Sequence, residues 1–294
     1  MSATPEGAAP AKINLALHVT GRRADGYHLI ESLVVFAGHG DRLAVEEAEQ
    51  DGFSVTGPFA SSLPADGGNL VLRARDLLRL HFGAGAQSPV MLRLEKNLPV
   101  ASGIGGGSSD AAAALRLLAR HWKLGASEED LARLGLELGA DVPMCLASRP
   151  LVARGIGEKL EPAAGFPSLP LLLINPGKPL ETRAVFARLQ KRDNQGLGPL
   201  PRCESLAEII RWLRSTRNDL EAPALSLLPE IADTLGLLEA EGALLSRMSG
   251  SGATCFGIFE SIETAEKAAG QIRKKRPGWF VCPAATLSAE PSHG

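Results

Sequence analysis

The chain has 294 residues, 45% of them hydrophobic and 22% charged, with a formal net charge of −2. That length admits one large domain or two ordinary ones, and the composition is that of a folded globular protein. The near-neutral charge gives no electrostatic reason to expect nucleic acid or an anionic membrane as a partner. The longest apolar run, Leu169 to Ile174, suits a buried strand and is far too short to cross a bilayer. The four cysteines (Cys145, Cys203, Cys255, Cys282) form no Cys-x-x-Cys pair and no zinc-ligand spacing, which fits structural thiols in a reducing compartment. Residues Met1 to Glu6 lack a basic stretch followed by an apolar one, so no signal peptide is read there and a cytoplasmic location is the expectation.

In chain order, residues 10–20 alternate, with Ile13, Leu15, Leu17 and Val19 on one face and Lys12, Asn14, Ala16 and His18 on the other. Period two predicts a strand with one buried face. Further strands are predicted around Ser32–Phe36, Arg42–Val45 and Val90–Leu94, with a helix over Asn69–His81 between them. Ser127-Glu-Glu-Asp130 predicts a capping box for a helix ending near Gly139. The stretch Glu161–Leu169, rich in proline, alanine and glycine, predicts a domain boundary, dividing the chain into 1–160 and 161–294. Beyond it come a strand at Leu171–Ile174 and a loop over Lys191–Cys203. Helices are predicted over Ser205–Ser215, Pro229–Glu241 and Thr264–Lys275, and strands over Leu244–Met248, Thr254–Phe259 and Gly278–Ala284. The basic run Arg273 to Arg276 falls at a helix C-terminus, where cations complement the dipole. Without a regular βαβ rhythm, the fold class is α+β.

The most informative segment is Lys96-Asn-Leu-Pro-Val-Ala-Ser-Gly-Ile-Gly-Gly-Gly-Ser-Ser-Asp110, followed by an alanine and leucine run to about Trp122. It reads as a short strand, a glycine-rich turn and a helix capped by Ser108 or Ser109. Backbone N–H groups at such a helix start, together with its dipole, suit a phosphate. The segment is not a Walker A loop, because no Gly-Lys-Ser/Thr follows, and Ser108 stands where a dinucleotide fingerprint needs its third glycine. The protein-kinase segments His-Arg-Asp and Asp-Phe-Gly are absent as well.

Four further segments accompany the loop in order: Pro10-Ala-Lys-Ile-Asn-Leu15, Arg23-Ala-Asp-Gly-Tyr-His28, Gly139-Ala-Asp-Val-Pro143 and Arg247-Met-Ser-Gly-Ser-Gly-Ala-Thr254. Together the five resemble the motif set of the GHMP small-molecule kinases, over roughly residues 10–260. The Asp-Gly-Tyr-His and Ala-Asp-Val-Pro segments point to a member whose acceptor carries a cytidine diphosphate, in isoprenoid precursor supply. The resemblance implies a two-domain α+β kinase with its active site in the inter-domain cleft, using ATP as phosphoryl donor with Mg2+ expected. ATP would lie along Pro99, Val100, Ala101, Ser102, Gly103, Ile104, Gly105, Gly106, Gly107, Ser108 and Ser109. The family's catalytic lysine and aspartate map to Lys12 and Asp141. Asn14, Tyr27, His28 and Phe186 are the substrate candidates, with Tyr27 and Phe186 on either side of the base and His28 hydrogen-bonding it. A GHMP kinase for homoserine, mevalonate or a sugar, or a non-catalytic sensor of the same fold, stays open as an alternative. No metal ligand stands out, and Asp110 and the remaining histidines (His18, His39, His81, His121, His293) carry no assigned role.

Residue chemistry constrains how an aspartate could act. An aspartate at its reference value of ~3.9 and an alcohol near ~16 differ by about 12 units, roughly 16 kcal/mol. The carboxylate therefore cannot deprotonate the alcohol beforehand, and proton transfer should come late, in a loose phosphoryl-transfer transition state.

Overall fold

A computed structural model describes residues 7–63, 68–201 and 205–289; Cys203, His293 and the first six residues lie outside the described residues. The described chain forms two compact units interleaved in sequence. The first takes in residues up to 11, 40–100 and 105–148, and the second takes in 12–39, 101–104 and the chain from 149 onward. Two long strands, β1 (Ala8–Arg22) and β2 (His28–Glu47), pair with one another and contribute to both units.

In the first unit the C-terminal half of β2 pairs antiparallel with β4 (Val90–Glu95), Leu43 opposite Leu94. β4 pairs parallel with β3 (Gly52–Thr56). Four helices complete the unit: α1 (Leu70–Phe82), α2 (Gly106–His121), α3 (Glu128–Leu138) and α4 (Val142–Ala147). Asn69 caps α1, its side chain accepting from the Val71 N–H at 2.9 Å. Ser127 and Asp130 form the capping box of α3 as the spacing predicts.

In the second unit the N-terminal half of β2 pairs with β5 (Leu151–Gly155), which pairs with β6 (Lys159–Pro162). A separate four-stranded antiparallel sheet runs in the order β10 (Phe280–Ala285), β7 (Pro170–Asn175), β9 (Cys255–Ile258), β8 (Leu245–Met248). The helices of this unit are α5 (Thr182–Ala187), α6 (Leu206–Arg214), α7 (Glu221–Leu227), α8 (Glu230–Ala240) and α9 (Ile262–Lys275). Its core joins Leu172 and Ile174 of β7 to Ala265, Ala269 and Ile272 of α9 and to Leu17 and Val19 of β1. Antiparallel pairing dominates and no βαβ rhythm emerges, as expected of α+β. Cys145, Cys255 and Cys282 are buried free thiols.

Several expectations are corrected. Residues 32–45 form one continuous strand, because Gly38 and Gly40 stay extended. A Cβ on Gly40 would come within 2.2 Å of the Ala9 carbonyl oxygen, so this glycine marks close strand contact and not a turn. The strand before the glycine loop ends at Glu95, so residues 96–99 are not part of it. Strands β3, β5 and β6 and helices α4, α5 and α7 escaped the sequence reading; none exceeds seven residues, too short for a clear periodic signal.

The predicted single buried face of β1 is also corrected, since Lys12, Asn14 and His18 are as buried as the apolar positions. His18 is thereby structural. The Arg217 N–H donates to His18 Nε2 at 3.1 Å, so that nitrogen must be bare, and Nδ1–H donates to the Gln195 carbonyl at 2.9 Å. The ring is therefore neutral, and burial pushes its pKa below the ordinary imidazole value. A lowered folded value contributes stability that is present above about pH 6.5 and lost as pH falls through the folded value. Thermal unfolding from pH 8 down to pH 5 should show that loss, and His18→Gln should flatten it. Equal acid sensitivity in the two proteins would contradict this role.

Candidate active site

The glycine-rich segment enters α2 without a side-chain cap. Gly105 holds the cap position in the left-handed region (φ +65°), and its carbonyl accepts from the Ser109 N–H at 2.9 Å. The expected serine cap is corrected: Ser108 and Ser109 lie inside the first turn, and Ser109 Oγ donates to the Pro10 carbonyl at 2.7 Å. The N–H groups of Gly106, Gly107 and Ser108 precede any intrahelical acceptor, and with the positive end of the dipole they suit an anion. Upstream, Ala101 is held at φ +51°, a region an alanine enters at about 1–2 kcal/mol.

In the second unit two loops interlock by backbone contact. A Cβ on Gly103 (φ +75°) would come 2.5 Å from the Gly252 carbonyl oxygen and 2.7 Å from that of Ser249. A Cβ on Gly250 (φ +55°) would come 2.7 Å from the Gly103 carbonyl oxygen. Hydrogen bonds fasten the pair: Thr254 N–H to the Ser102 carbonyl at 3.1 Å and Ser249 Oγ to the Gly103 carbonyl at 3.3 Å. The Lys12 N–H donates to the Ile104 carbonyl at 2.9 Å, so β1 is joined to the same loop.

This arrangement orients Asn14. Its backbone N–H donates to Ser249 Oγ at 3.1 Å. Ser32 Oγ spends its only hydrogen on the Ala16 carbonyl at 2.7 Å, so it must accept from Asn14 Nδ2, also at 2.7 Å. The amide is thus fixed, and Oδ1 is left buried with no partner among the described residues. A buried acceptor in that condition costs about 1–3 kcal/mol until a donor arrives, and a ligand hydroxyl would supply one.

Asn218, which the sequence reading passed over, holds the Ser249–Gly252 loop from behind. Its Nδ2 donates to the carbonyls of Met248 and Gly250, each at 2.8 Å, while Oδ1 accepts from the Leu220 N–H at 3.0 Å. Arg247 is buried too, donating to the carbonyls of Leu15, Leu213 and Thr216 at 2.7–2.9 Å. Thr182 Oγ1, at the start of α5, meets Ser251 Oγ at 2.8 Å. The sequence signal was slight: Asn218 lies in a polar stretch and Arg247 opens the last of the ordered motifs, but no local pattern names their partners.

The Asp25–Gly26 turn lifts Tyr27 into solvent, 61% exposed, while His28 begins β2. The His28 and Phe186 rings stack with centroids 4.8 Å apart, at 25°. His28 Nε2 is buried with no partner among the described residues. Burial, then the charges of Arg22 and Arg192, push this imidazole below its ordinary value, so it is neutral at pH 7. Asp141, in the first unit, sits half-buried in the turn that starts α4, as the proline two residues later suggests. No group of three His, Cys, Asp or Glu side chains among the described residues could hold a metal ion.

Gly103→Ala should lower stability by at least about 2 kcal/mol, because the new methyl meets fixed backbone in a left-handed conformation. Thermal unfolding reads this directly; a Tm within about a degree of the parent would show that the loops can part.

The sequence matches the GHMP kinases N terminal domain over residues 69–149 and the GHMP kinases C terminal region over residues 200–278. It is 61% identical over 283 residues to 4-diphosphocytidyl-2-C-methyl-D-erythritol kinase of Chelativorans sp. (strain BNC1), covering 96% of each chain. It is 57% identical to the protein of that name from Mesorhizobium japonicum, again over 96% of each chain. A crystal structure of 4-(cytidine 5'-diphospho)-2C-methyl-D-erythritol kinase superposes with a TM-score of 0.76 at 35% identity, covering 95% of this chain and 98% of that one. Homoserine kinase from Cytophaga hutchinsonii, at 18% identity and a TM-score of 0.62, shares the fold. The glycine-loop helix, the interlocked second loop and these relatives agree: the chain belongs to the GHMP kinases, in the branch of the 4-diphosphocytidyl-2-C-methyl-D-erythritol kinases.

Proposed function

We propose that the chain transfers the γ-phosphoryl group of ATP to the 2-hydroxyl of 4-diphosphocytidyl-2-C-methyl-D-erythritol. The observation that carries the reading is the pair of buried polar atoms awaiting a ligand in the second unit, Asn14 Oδ1 and His28 Nε2; separately, the start of α2 in the first unit suits an anion. The near full-length likeness to kinases of that name supplies the substrate. The Pro99–Ser109 segment holds the ATP phosphates by backbone N–H donors. Magnesium, carried on the nucleotide, supplies charge neutralisation when bound.

Asp141 takes the proton of the attacking hydroxyl late, as the phosphoryl group leaves ADP, and Lys12 stabilises the negative charge on oxygen. Asn14 Oδ1 accepts from the substrate and orients it. The cytosine lies against Tyr27 on one side and Phe186 on the other, with His28 Nε2 hydrogen-bonding the base; stacking contributes about 1–3 kcal/mol per base. A homoserine or mevalonate acceptor would leave the exposed Tyr27 and the unpartnered His28 nitrogen without a counterpart.

The test is ADP release from Mg-ATP with the purified protein and 4-diphosphocytidyl-2-C-methyl-D-erythritol, with homoserine, mevalonate and galactose in parallel. Turnover should occur with the cytidine compound alone. Asp141→Asn should keep substrate affinity within a few-fold and lower turnover by about 100-fold or more. Near-normal turnover in that variant would remove Asp141 from the reaction, and turnover on another acceptor would overturn the base-binding roles. Affinity for cytidine 5'-diphosphate should hold between pH 7 and 8 and weaken in acid as His28 protonates. An affinity unchanged across the pH range in which the His28 ring protonates, followed by NMR, would show that His28 does not bond the base.

A further inference from the structure

Beneath the start of α2 lies a buried cluster of one cation and two carboxylates. Lys96 Nζ donates to Asp110 Oδ2 at 2.7 Å and to Asp41 Oδ2, and all three side chains are at most 4% exposed. Asp41 Oδ1 in turn accepts from the N–H groups of Asn97 and Leu98, at 2.6 and 2.8 Å. That carboxylate therefore accepts from two amides and an ammonium, and it fixes the chain entering the glycine loop. Asp110 is placed differently. It is the fifth residue of α2, behind the expected first turn, and its Oδ1 is buried without a partner among the described residues. A Cβ on Gly106 would lie 3.1 Å from Lys96 Nζ and 3.6 Å from Asp41 Oδ2, so the cluster presses against the first residue of the helix.

One ammonium cannot balance two buried carboxylates, and a surplus buried charge is strongly unfavourable. The carboxylate without amide donors is the one to be neutralised. We propose that Asp110 carries a proton at neutral pH, and that it is a positioning residue whose ionisation weakens phosphate binding at the N-terminus of α2. Burial, reinforced by the neighbouring Asp41 charge and opposed by Lys96, pushes its carboxyl up to about 8. Lys96 and Asp41 are the charged groups that act on it, one from the segment after β4 and one from β2. Once ionised, Asp110 would place a negative charge behind the helix end that receives an anion, opposing the dipole. The ligand is the nucleotide phosphate of the proposed reaction, so the binding half of the inference rests on that reading; the protonation half does not.

Two measurements separate the halves. In wild-type protein labelled with 13C at aspartate carboxyl carbons, one resonance should titrate with a midpoint near pH 8 and vanish in Asp110→Asn. Because a raised carboxyl contributes stability that is lost as pH rises, the Tm of the wild type should fall between pH 6 and 9 relative to that variant. The KM for MgATP should be steady to about pH 7.5 and rise roughly 3- to 10-fold by pH 9, with kcat moving in parallel for both proteins and Asp110→Asn showing a flat KM. Aspartate carbons that are all ionised at pH 6 would overturn the proposal, even if the variant did not fold. A titrating carboxyl with a pH-independent KM in an active enzyme would overturn the phosphate coupling alone. A titrating carboxyl in a protein that binds no MgATP at any pH would overturn that coupling together with the kinase reading.

Discussion

Gly103 lies so close to the backbone of Ser249 and Gly252, and Gly250 so close to that of Gly103, that neither glycine has room for a side chain, and the geometry around the second-unit site depends on that contact. Because backbone meets backbone, the Ser102–Ile104 loop, the Ser249–Gly252 loop and the Lys12–Asn14 stretch of β1 are fixed relative to one another. Packed backbone has little freedom to relax, so the geometry of these polar groups is set before any ligand arrives. Preorganisation of this kind lowers the entropy that binding must otherwise spend on ordering loops.

The polar interior of the second unit is arranged to the same end. Ser32 settles which way the Asn14 amide faces, Asn218 holds the loop opposite, and Arg247 ties β8 to β1 through carbonyl oxygens. Each of these side chains has its donors directed at backbone or at another fixed group, and of the three atoms left over among the described residues of this unit two, Asn14 Oδ1 and His28 Nε2, belong to the residues assigned to substrate, the third being Arg192 Nε. Buried polar atoms are rarely unpartnered. Here two of the three coincide with the ligand positions that the motif resemblance implies, which joins structural chemistry to the kinase reading.

The first unit contributes a different device. Asp41 grips the chain before the glycine loop through two amide hydrogen bonds, and Lys96 links that grip to α2 through Asp110. The helix start that suits a phosphate is thus anchored from below by charge, whereas the second-unit loops are anchored by close backbone packing. Strong anion sites commonly combine backbone donors with such fixed surroundings.

Residue pattern alone determined the α+β class, the long helices, the capping box of α3, the strand at Leu171–Ile174 and the glycine loop. Each depends on local periodicity or on one capping interaction, and Ser127–Asp130 is an instance where four residues suffice. The ordered motifs likewise carried the family, because five segments in a fixed order are a pattern that sequence alone displays. Tertiary structure alone decided the rest. That Gly38 and Gly40 continue a strand instead of turning it depends on distant backbone lying against them, Ala285 at Gly38 and Ala9 at Gly40. That β1 is buried on both faces depends on distant partners for His18 and Asn14, at Gln195, Arg217 and Ser249. Asn218 escaped notice, and Asp110 was given no role, for the same reason: their roles come from partners tens of residues away or from a charge balance within a buried cluster, and neither leaves a period in the sequence.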